Sequence, residues 1–240
     1  MHYRDLCIAH KAFYWAEPRA YYYDWYMKRK NWEKWTSSVP LDEVEKLFDF
    51  IRHWDFHFGG DAEKFSKIYE EISIVIEGLE KEKLENVNFD DDSLCEAIEK
   101  VFDKIADCSW KYESTDSSKI LHTLIPNLSV MWDRKIRKGI LGGEERNWGA
   151  VYATEFLPKM QNEVKEALTT CMQEKNFSPN KAIEFICQLC DGKTLPKLLD
   201  EYDYMVFTRP EDFLAYIKNS KDEGKITPEG YDRLSRKILF

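Results

Sequence analysis

The sequence has no run of apolar residues long enough to cross a membrane. A transmembrane helix needs about 20 consecutive, predominantly apolar residues, and charged side chains interrupt every apolar stretch of this chain well before that length. The N-terminus, MHYRDLCIAH, is charged and lacks the apolar core of a secretory signal peptide. We therefore expect a cytoplasmic protein without membrane association.

Glycine is scarce, at 10 of 240 residues, and the glycine motifs of nucleotide-binding loops are absent. The chain contains no Gly-x-Gly-x-x-Gly, Walker loop or Gly-x-Ser-x-Gly, which makes a nucleotide-cofactor enzyme or a serine hydrolase a poor fit. The acidic triplet 90–92 lacks the glycine and the final glutamate of a calcium loop. We expect no cofactor.

The histidines and cysteines do not form the ligand sets of a metal site. Cys187 and Cys190 make a single C-x-x-C, whereas a structural zinc site needs a second ligand pair. His53 and His57 have the spacing of a helical metal-binding pair, but Gly59 and Gly60 end that helix before a third ligand. We interpret the cysteines as reduced core residues and the histidines as helix-end residues, and we predict no metal site.

Helical periodicity dominates the chain. Apolar residues recur at three- and four-residue steps between residues 40 and 58, 65 and 79, 94 and 105, and 150 and 174. A capping box of Ser93 and Glu96 precedes the third of these helices, and Pro158 lies where it would bend the fourth. Further helices begin at Ser178-Pro179, at Thr194, near Pro210 and at Thr227-Pro228.

The predicted fold is all-α, an irregular multi-helix bundle of about eight to ten helices. Only the stretch 202–207 competes as a short strand. The linkers are short and not rich in glycine or serine, so we predict one compact helical domain over residues 1–240. A division into two helical lobes, 1–113 and 114–240, is compatible with this pattern.

Charge is distributed unevenly along the chain. The formal net charge is −9, which argues against a protein that coats nucleic acid, because such proteins need a basic surface. Residues 37–113 contain 21 acids and 9 bases, whereas residues 114–147 contain 6 bases and 4 acids. Residues 114–147 could still form a basic cleft, because a ligand there experiences the nearby charges rather than the net charge of the chain.

The segment 117–133 brings together residue types that carry chemistry. Lys119 and His122 lie about one helical turn apart, and an apolar approach leads from there to Asp133. A basic cluster follows directly and consists of Arg134, Lys135, Arg137 and Lys138. In such a set the amine attacks or donates a proton, the carboxylate handles protons or stabilises a cation, and the bases hold a phosphate.

This order of helix, lysine, helix, apolar turn and aspartate resembles the active-site layout of the helix–hairpin–helix DNA glycosylases, especially the 8-oxoguanine glycosylase group. The resemblance implies that Lys119 attacks the sugar C1′ and that Asp133 is the catalytic carboxylate. It also implies DNA as partner, with His122 and the cluster Arg134–Lys138 at the nucleic acid. The glycine-rich hairpin that precedes the lysine in that family is replaced here by residues 113–118, without glycine.

The same segment has a purely structural interpretation. Ser117 or Ser118 would cap a helix on which Lys119 is a solvated surface residue, and Asp133 would cap the next helix. An aspartate before Arg-Lys-Ile-Arg-Lys is a common helix start. The exposure of Lys119 distinguishes the two interpretations, because a catalytic amine lies in a pocket.

The N-terminal 36 residues are rich in aromatics and hold 7 bases against 4 acids. Aromatics interleaved with Lys28, Arg29 and Lys30 are typical of a platform on which unpaired bases stack. The alternatives are an amphipathic helix whose aromatics fill the core, and an exposed aromatic face that binds a protein.

Two functional hypotheses follow. The first is a DNA-glycosylase-like or base-recognising nucleic-acid-binding protein, with Lys119 and Asp133 in a cleft between lobes. The second is a non-enzymatic helical module that binds a protein partner through its acidic region and aromatic N-terminus. Whether the protein is an enzyme stays open at this point.

Overall fold

Helix is the dominant structure of this protein. The computed structural model describes residues 1–108, 114–142 and 147–239. Helix accounts for 74% of the structure, and none of the described residues forms a strand. The predicted all-α fold is therefore confirmed. No helix within the described ranges is both long and apolar enough to span a bilayer.

The helices follow one another with short connections. They are α1 (Tyr3–Ala16), α2 (Ala20–Arg29), α3 (Leu41–Trp54), α4 (Ala62–Leu79), α5 (Asp92–Ala106), α6 (Ser114–Leu124), α7 (Arg134–Leu141), α8 (Trp148–Val151), α9 (Leu157–Lys175), α10 (Pro179–Leu189), α11 (Leu195–Asp203), α12 (Pro210–Asp222) and α13 (Pro228–Leu239). The helices predicted from periodicity correspond to α3, α4, α5, α9 and α10–α13.

Two helix starts differ from the sequence prediction. The cap of α5 is Asp91, whose carboxylate accepts from the backbone N–H of Ser93, so the predicted Ser93 cap is wrong by two residues. Helix α6 begins at Ser114, which places the predicted caps Ser117 and Ser118 inside the helix, where both are buried. Carboxylate and hydroxyl caps are close in strength, so sequence alone does not choose between neighbouring candidates.

Two wide π-helical turns, at Tyr152–Phe156 and Tyr204–Thr208, each end next to a proline. Leu157 donates its N–H to Tyr152 O, five residues back, and Pro158 follows; Arg209 donates to Tyr204 O, and Pro210 follows. A proline ring clashes with the preceding helical turn and cannot donate a bond, and a wider turn accommodates it. The stretch 202–207, which competed as a strand, is therefore helical.

The chain divides into two units, each assembled from segments that are distant in sequence. Unit 1 comprises residues 1–18, 132–143 and 160–240, and unit 2 comprises residues 19–131 and 144–159. Residue 113, where the sequence placed the boundary between lobes, lies outside the described residues. The single domain proposed from sequence stays a prediction.

In unit 1, α1 packs against α11 and α12 through residues that are fully buried, such as Leu6, Phe13 and Leu198. In unit 2, α4 packs against α3 and α5, and the rings of Phe48 and Phe65 meet at 5.6 Å. Each helix thus buries the apolar stripe that its sequence predicts.

Tyr152 is a buried polar anchor of unit 2. Its hydroxyl contacts Ser129 Oγ at 2.6 Å, accepts from Val130 N at 3.1 Å and donates to Val130 O at 2.7 Å. The side chain is fully buried and its ring packs on Phe102 at 4.7 Å. One hydroxyl therefore satisfies three polar groups that water does not reach.

We expect Tyr152→Phe to lower the free energy of unfolding by about 1–3 kcal/mol, because buried polar groups of Ser129 and Val130 lose their partner. Chemical denaturation measures this change. The matched control is Tyr21→Phe, at a tyrosine that is 65% exposed, with an expected change within about 0.5 kcal/mol. Equal stability of Tyr152→Phe and wild type would contradict the anchoring role.

Candidate functional site

Lys119 lies on α6 in unit 2 and is mostly buried. Its Nζ contacts Asp116 Oδ1 at 3.3 Å, one turn earlier in the same helix, and its side chain is 12% exposed. The solvated surface lysine of the structural interpretation is therefore wrong. The amine is engaged in an ion pair within its own helix.

His122, also on α6, is a core residue. Its Nε2 contacts the hydroxyl of Tyr23 at 2.9 Å, and its Nδ1 donates to Ser129 O at 2.5 Å. The ring is fully buried. The contacts on both nitrogens make His122 a link between α6, α2 and the turn after α6 in unit 2.

Asp133 lies in unit 1 and caps α7. One carboxylate oxygen accepts from the backbone N–H groups of Lys135 and Ile136 at 2.7 and 2.8 Å, and the other accepts from Thr208 Oγ1 at 2.5 Å. The predicted capping role of Asp133 is thereby confirmed. Three donors already bind the carboxylate oxygens of Asp133, so the residue has a structural function. A catalytic role would have to use the same oxygens.

The basic cluster is split between the surface and the interior of unit 1. Arg134, Lys135 and Lys138 are exposed on α7. The guanidinium of Arg137 is half-buried and lies 5.4 Å from the ring centroid of Trp132. Three of the four predicted cations thus lie at the surface, and the ammonium of Lys135 also donates to Thr208 O at 3.2 Å. Lys119 belongs to unit 2 and Asp133 to unit 1, so a common site for the two stays a prediction.

A second candidate is the exposed face of α2 in unit 2. Tyr21 is 65% exposed and Trp25 is 44% exposed, and Lys28 and Arg29 are also at the surface. At 3.6 residues per turn, these residues and Tyr22 fall within an arc of about 120°. We call this set, Tyr21, Tyr22, Trp25, Lys28 and Arg29, the α2 face.

The opposite side of α2 fixes the helix in unit 2. Tyr23 and Tyr26 are buried, and the ring of Tyr26 stacks on Phe50 of α3 at 4.8 Å. Lys30 is buried as well: its Nζ donates to Thr123 O at 2.8 Å, and burial lowers its pKa well below the usual value. The aromatic N-terminus therefore fills the core with one face and leaves the other at the surface.

The α2 face continues onto the end of α3. The rings of Tyr22 and His53 lie 3.9 Å apart, and His53 Nδ1 donates to Asp49 O at 2.7 Å. Phe56, two residues after α3, is 79% exposed. The predicted helix-end position is confirmed for His53, which adds a ring to the exposed aromatics, whereas His57 lies three residues beyond the end of α3.

The charges of the α2 face are held close to its rings. The guanidinium of Arg29 lies 4.7 Å from the ring centroid of Trp25. Residues 19–30 contain four bases and one acid, in contrast to the acidic stretch that follows. Aromatic rings and cations on one surface can bind a partner that offers flat rings and negative charge.

Unit 1 contains a buried charged cluster that the sequence analysis missed. His10 of α1 contacts Glu201 Oε2 at 2.7 Å through Nδ1 and Asp191 Oδ2 at 3.2 Å through Nε2. Lys197 donates to Asp200 at 2.5 Å and is 1% exposed. The signal was present in α11, whose sequence LPKLLDEYD alternates charges with core leucines.

Burial and neighbouring charges shift the pKa values of the groups in this cluster. Burial raises the pKa of Asp200 to about 6, although the nearby Lys197 ammonium acts to lower it. Burial acts to lower the pKa of His10, but the hydrogen bonds and charges of Glu201 and Asp191 outweigh it and raise that pKa. Among the described residues, no group of three His, Cys, Asp or Glu side chains could hold a metal ion.

No protein-family model, curated protein or solved structure matches this chain.

The raised pKa of Asp200 gives unit 1 a defined pH dependence. Its folded pKa of about 6 exceeds the ordinary 3.8, so its contribution to stability is complete below about pH 4 and is lost as the pH rises through about 6. As the pH rises from 4 to 7, we expect the free energy of unfolding of Asp200→Asn to increase relative to that of wild type by on the order of 1–3 kcal/mol. Denaturant unfolding at a series of pH values measures the difference, and parallel curves for the two proteins would contradict it.

Proposed function

We propose that this protein binds single-stranded nucleic acid through the α2 face. The observation that carries the proposal is the position of Tyr21, Trp25, Lys28 and Arg29 on one exposed arc of a helix whose other side is buried. Proteins that bind single strands without sequence preference combine aromatic side chains for the bases with cations for the backbone.

The exposed rings support stacking as the main source of affinity. Tyr21 and Trp25 are one turn apart on α2, about 6 Å along the helix axis. Consecutive bases of an extended strand can stack on two rings at such a spacing. Each stacked base contributes about 1–3 kcal/mol, and the contribution tolerates any base because every base has a π face.

The charge of the α2 face supports attraction of phosphates despite the acidic chain. A phosphate near Lys28 and Arg29 experiences these adjacent cations most strongly, because salt screens exposed charges beyond about 10 Å. The number of cations is small. The proposal therefore implies modest affinity with a shallow salt dependence, in contrast to a coat protein.

A protein partner is the second candidate for the same surface. Tyrosine, tryptophan and arginine are the residues that dominate protein interfaces, and all three are present on the α2 face. A nucleic acid offers phosphates to Lys28 and Arg29, whereas a protein partner does not need to. Binding to oligonucleotides therefore separates the two candidates.

We expect Trp25→Ala to weaken binding of a fluorescently labelled single-stranded oligopyrimidine by between about 5- and 150-fold, because one stacking platform is lost. Fluorescence anisotropy measures the affinity. The matched control is Trp15→Ala, at a tryptophan of unit 1 that is 55% exposed, which should bind like wild type.

The salt dependence provides a further check on the same complex. With Lys28 and Arg29 contacting two phosphates, log K should fall with log salt with a slope of about −1.4, and Arg29→Gln should reduce that slope by about 0.7. Absence of any binding to single strands at low salt would overturn the proposal and favour the protein partner. Equal weakening by Trp15→Ala and Trp25→Ala would place the site elsewhere.

Covalent chemistry at Lys119 is separable from binding. Since Lys119 is 12% exposed and paired with Asp116, we expect no covalent adduct when the protein is treated with borohydride on DNA that contains an abasic site. Gel electrophoresis detects such adducts. An adduct that forms with wild type and disappears in Lys119→Ala would instead establish an attacking lysine and support the glycosylase resemblance.

A further inference from the structure

Two cysteine sulfurs of unit 1 lie in direct contact although their residues are 183 positions apart. The Sγ atoms of Cys7 on α1 and Cys190 at the end of α10 are 3.2 Å apart, and the thiol of Cys190 donates to the sulfur of Cys7. A disulfide bond is about 2.05 Å long. An approach of about 1.2 Å therefore converts this contact into a bond.

The two thiols differ in access and in acidity. Cys7 is partly exposed, whereas Cys190 is fully buried. The hydrogen bond from Cys190 lowers the pKa of Cys7 against the effect of burial, and the charges of His10 and Lys11 lower it further. The same contact, together with burial, raises the pKa of Cys190. An accessible, more acidic thiol next to a buried, less acidic one is the division between an attacking and a resolving cysteine.

Cys7 opens onto a cavity of about 710 Å³ that lies within unit 1, between α1, α12 and α13. This volume is in the range of small-molecule sites. The charged side chains lining it are Arg4, Lys11, Lys225, Arg233, Glu174 and Glu229. Arg4, Arg233 and Lys225 form ion pairs with Glu174, Asp5 and Glu223, so the exposed Lys11 is the cation best placed to meet an anionic ligand near Cys7.

The cations are positioned by partners around the cavity. Arg4 donates to Glu174 at 2.7 Å, and Arg233 contacts Asp5 at 2.6 Å. Lys11 is exposed on the turn after Cys7. A ligand carboxylate can thus pair with Lys11 while a sulfur of the ligand approaches Cys7.

We propose that Cys7 and Cys190 form a dithiol that reduces a small disulfide carrying carboxylates, bound in this cavity. The proposal goes beyond nucleic-acid binding and involves only residues of unit 1. The ligand itself is the oxidant, so no further reactant is needed for one turnover.

The reaction is a two-step exchange. The Cys7 thiolate attacks one sulfur of the ligand; the ligand's disulfide bond breaks, and one half leaves as a thiolate that takes up a proton. Cys190 then loses its proton to solvent and attacks the sulfur of Cys7, and the bond between Cys7 and the second half breaks. Two protons and two electrons pass from the dithiol to the ligand, which leaves as two thiols, and a bond joins Cys7 and Cys190.

Glutathione disulfide is a suitable probe, and the full chain has six cysteines with which to count the reaction. After incubation of the reduced protein, alkylation and mass spectrometry should show two protected cysteines and a cross-link between the peptides of Cys7 and Cys190. Cys190→Ser should stop after the first step, with one glutathione on Cys7, and Cys7→Ser should give neither product. Cys108→Ser, at a buried cysteine of unit 2, is the matched control and should behave like wild type.

The cavity is tested by the charge of the probe. We expect glutathione disulfide to react at least five-fold faster than the neutral hydroxyethyl disulfide, and Lys11→Gln to reduce that preference. A cross-link between Cys187 and Cys190, or six free thiols after incubation of folded wild type, would overturn the dithiol. Equal rates with both probes would overturn the anionic ligand. The wild-type cross-link decides the matter even if a cysteine variant fails to fold.

Discussion

Helix α11 imposes the central constraint on unit 1, because all nine of its residues are buried and four of them have ionisable side chains. A buried charge without a partner is strongly destabilising. Lys197 therefore lies between Asp200 and Glu201, at 2.5 and 3.6 Å, and His10 of α1 meets Glu201. These contacts fix α1 against α11 in one register, which leucine packing alone would specify less tightly.

The same register produces the thiol contact. Cys7 lies one turn before His10 on α1, and Cys190 lies in the connection between α10 and α11. Holding His10 against Glu201 thus brings the two sulfurs together. The carboxylates that raise the pKa of His10 also favour its charged form, and that charge lowers the pKa of Cys7. His10 thus contributes both to the charged core and, beside the hydrogen bond from Cys190, to the acidity of Cys7.

The local sequence pattern predicted most of the helices, but it did not predict the candidate sites. Apolar periodicity and prolines at first turns located α3, α4 and α10–α13, because these signals act within a few residues. The Ser93 cap failed because Asp91 competes for the same role two residues earlier. The burial of His122 was not predicted, because its partner Tyr23 lies 99 residues earlier in the chain.

The cysteines illustrate the limit more clearly. Sequence spacing drew attention to the pair Cys187 and Cys190, whereas the contact that the fold creates joins Cys190 to Cys7. Two residues that are 183 positions apart share no local sequence pattern, so their contact could not be predicted from spacing. The charged residues of α11 were visible among its leucines in the sequence, but their partner His10 was not.

The α2 face shows how composition and periodicity must be combined. The seven aromatics between residues 21 and 35 were compatible with core packing and with an exposed aromatic face, and both occur. The turn of the helix assigns Tyr23 and Tyr26 to the interior and Tyr21 and Trp25 to the surface. Because Lys28 and Arg29 follow at steps of three and four residues from Trp25, the cations must share the arc of the exposed rings. A net charge of −9 does not describe this surface, since residues 19–30 contain four bases and one acid.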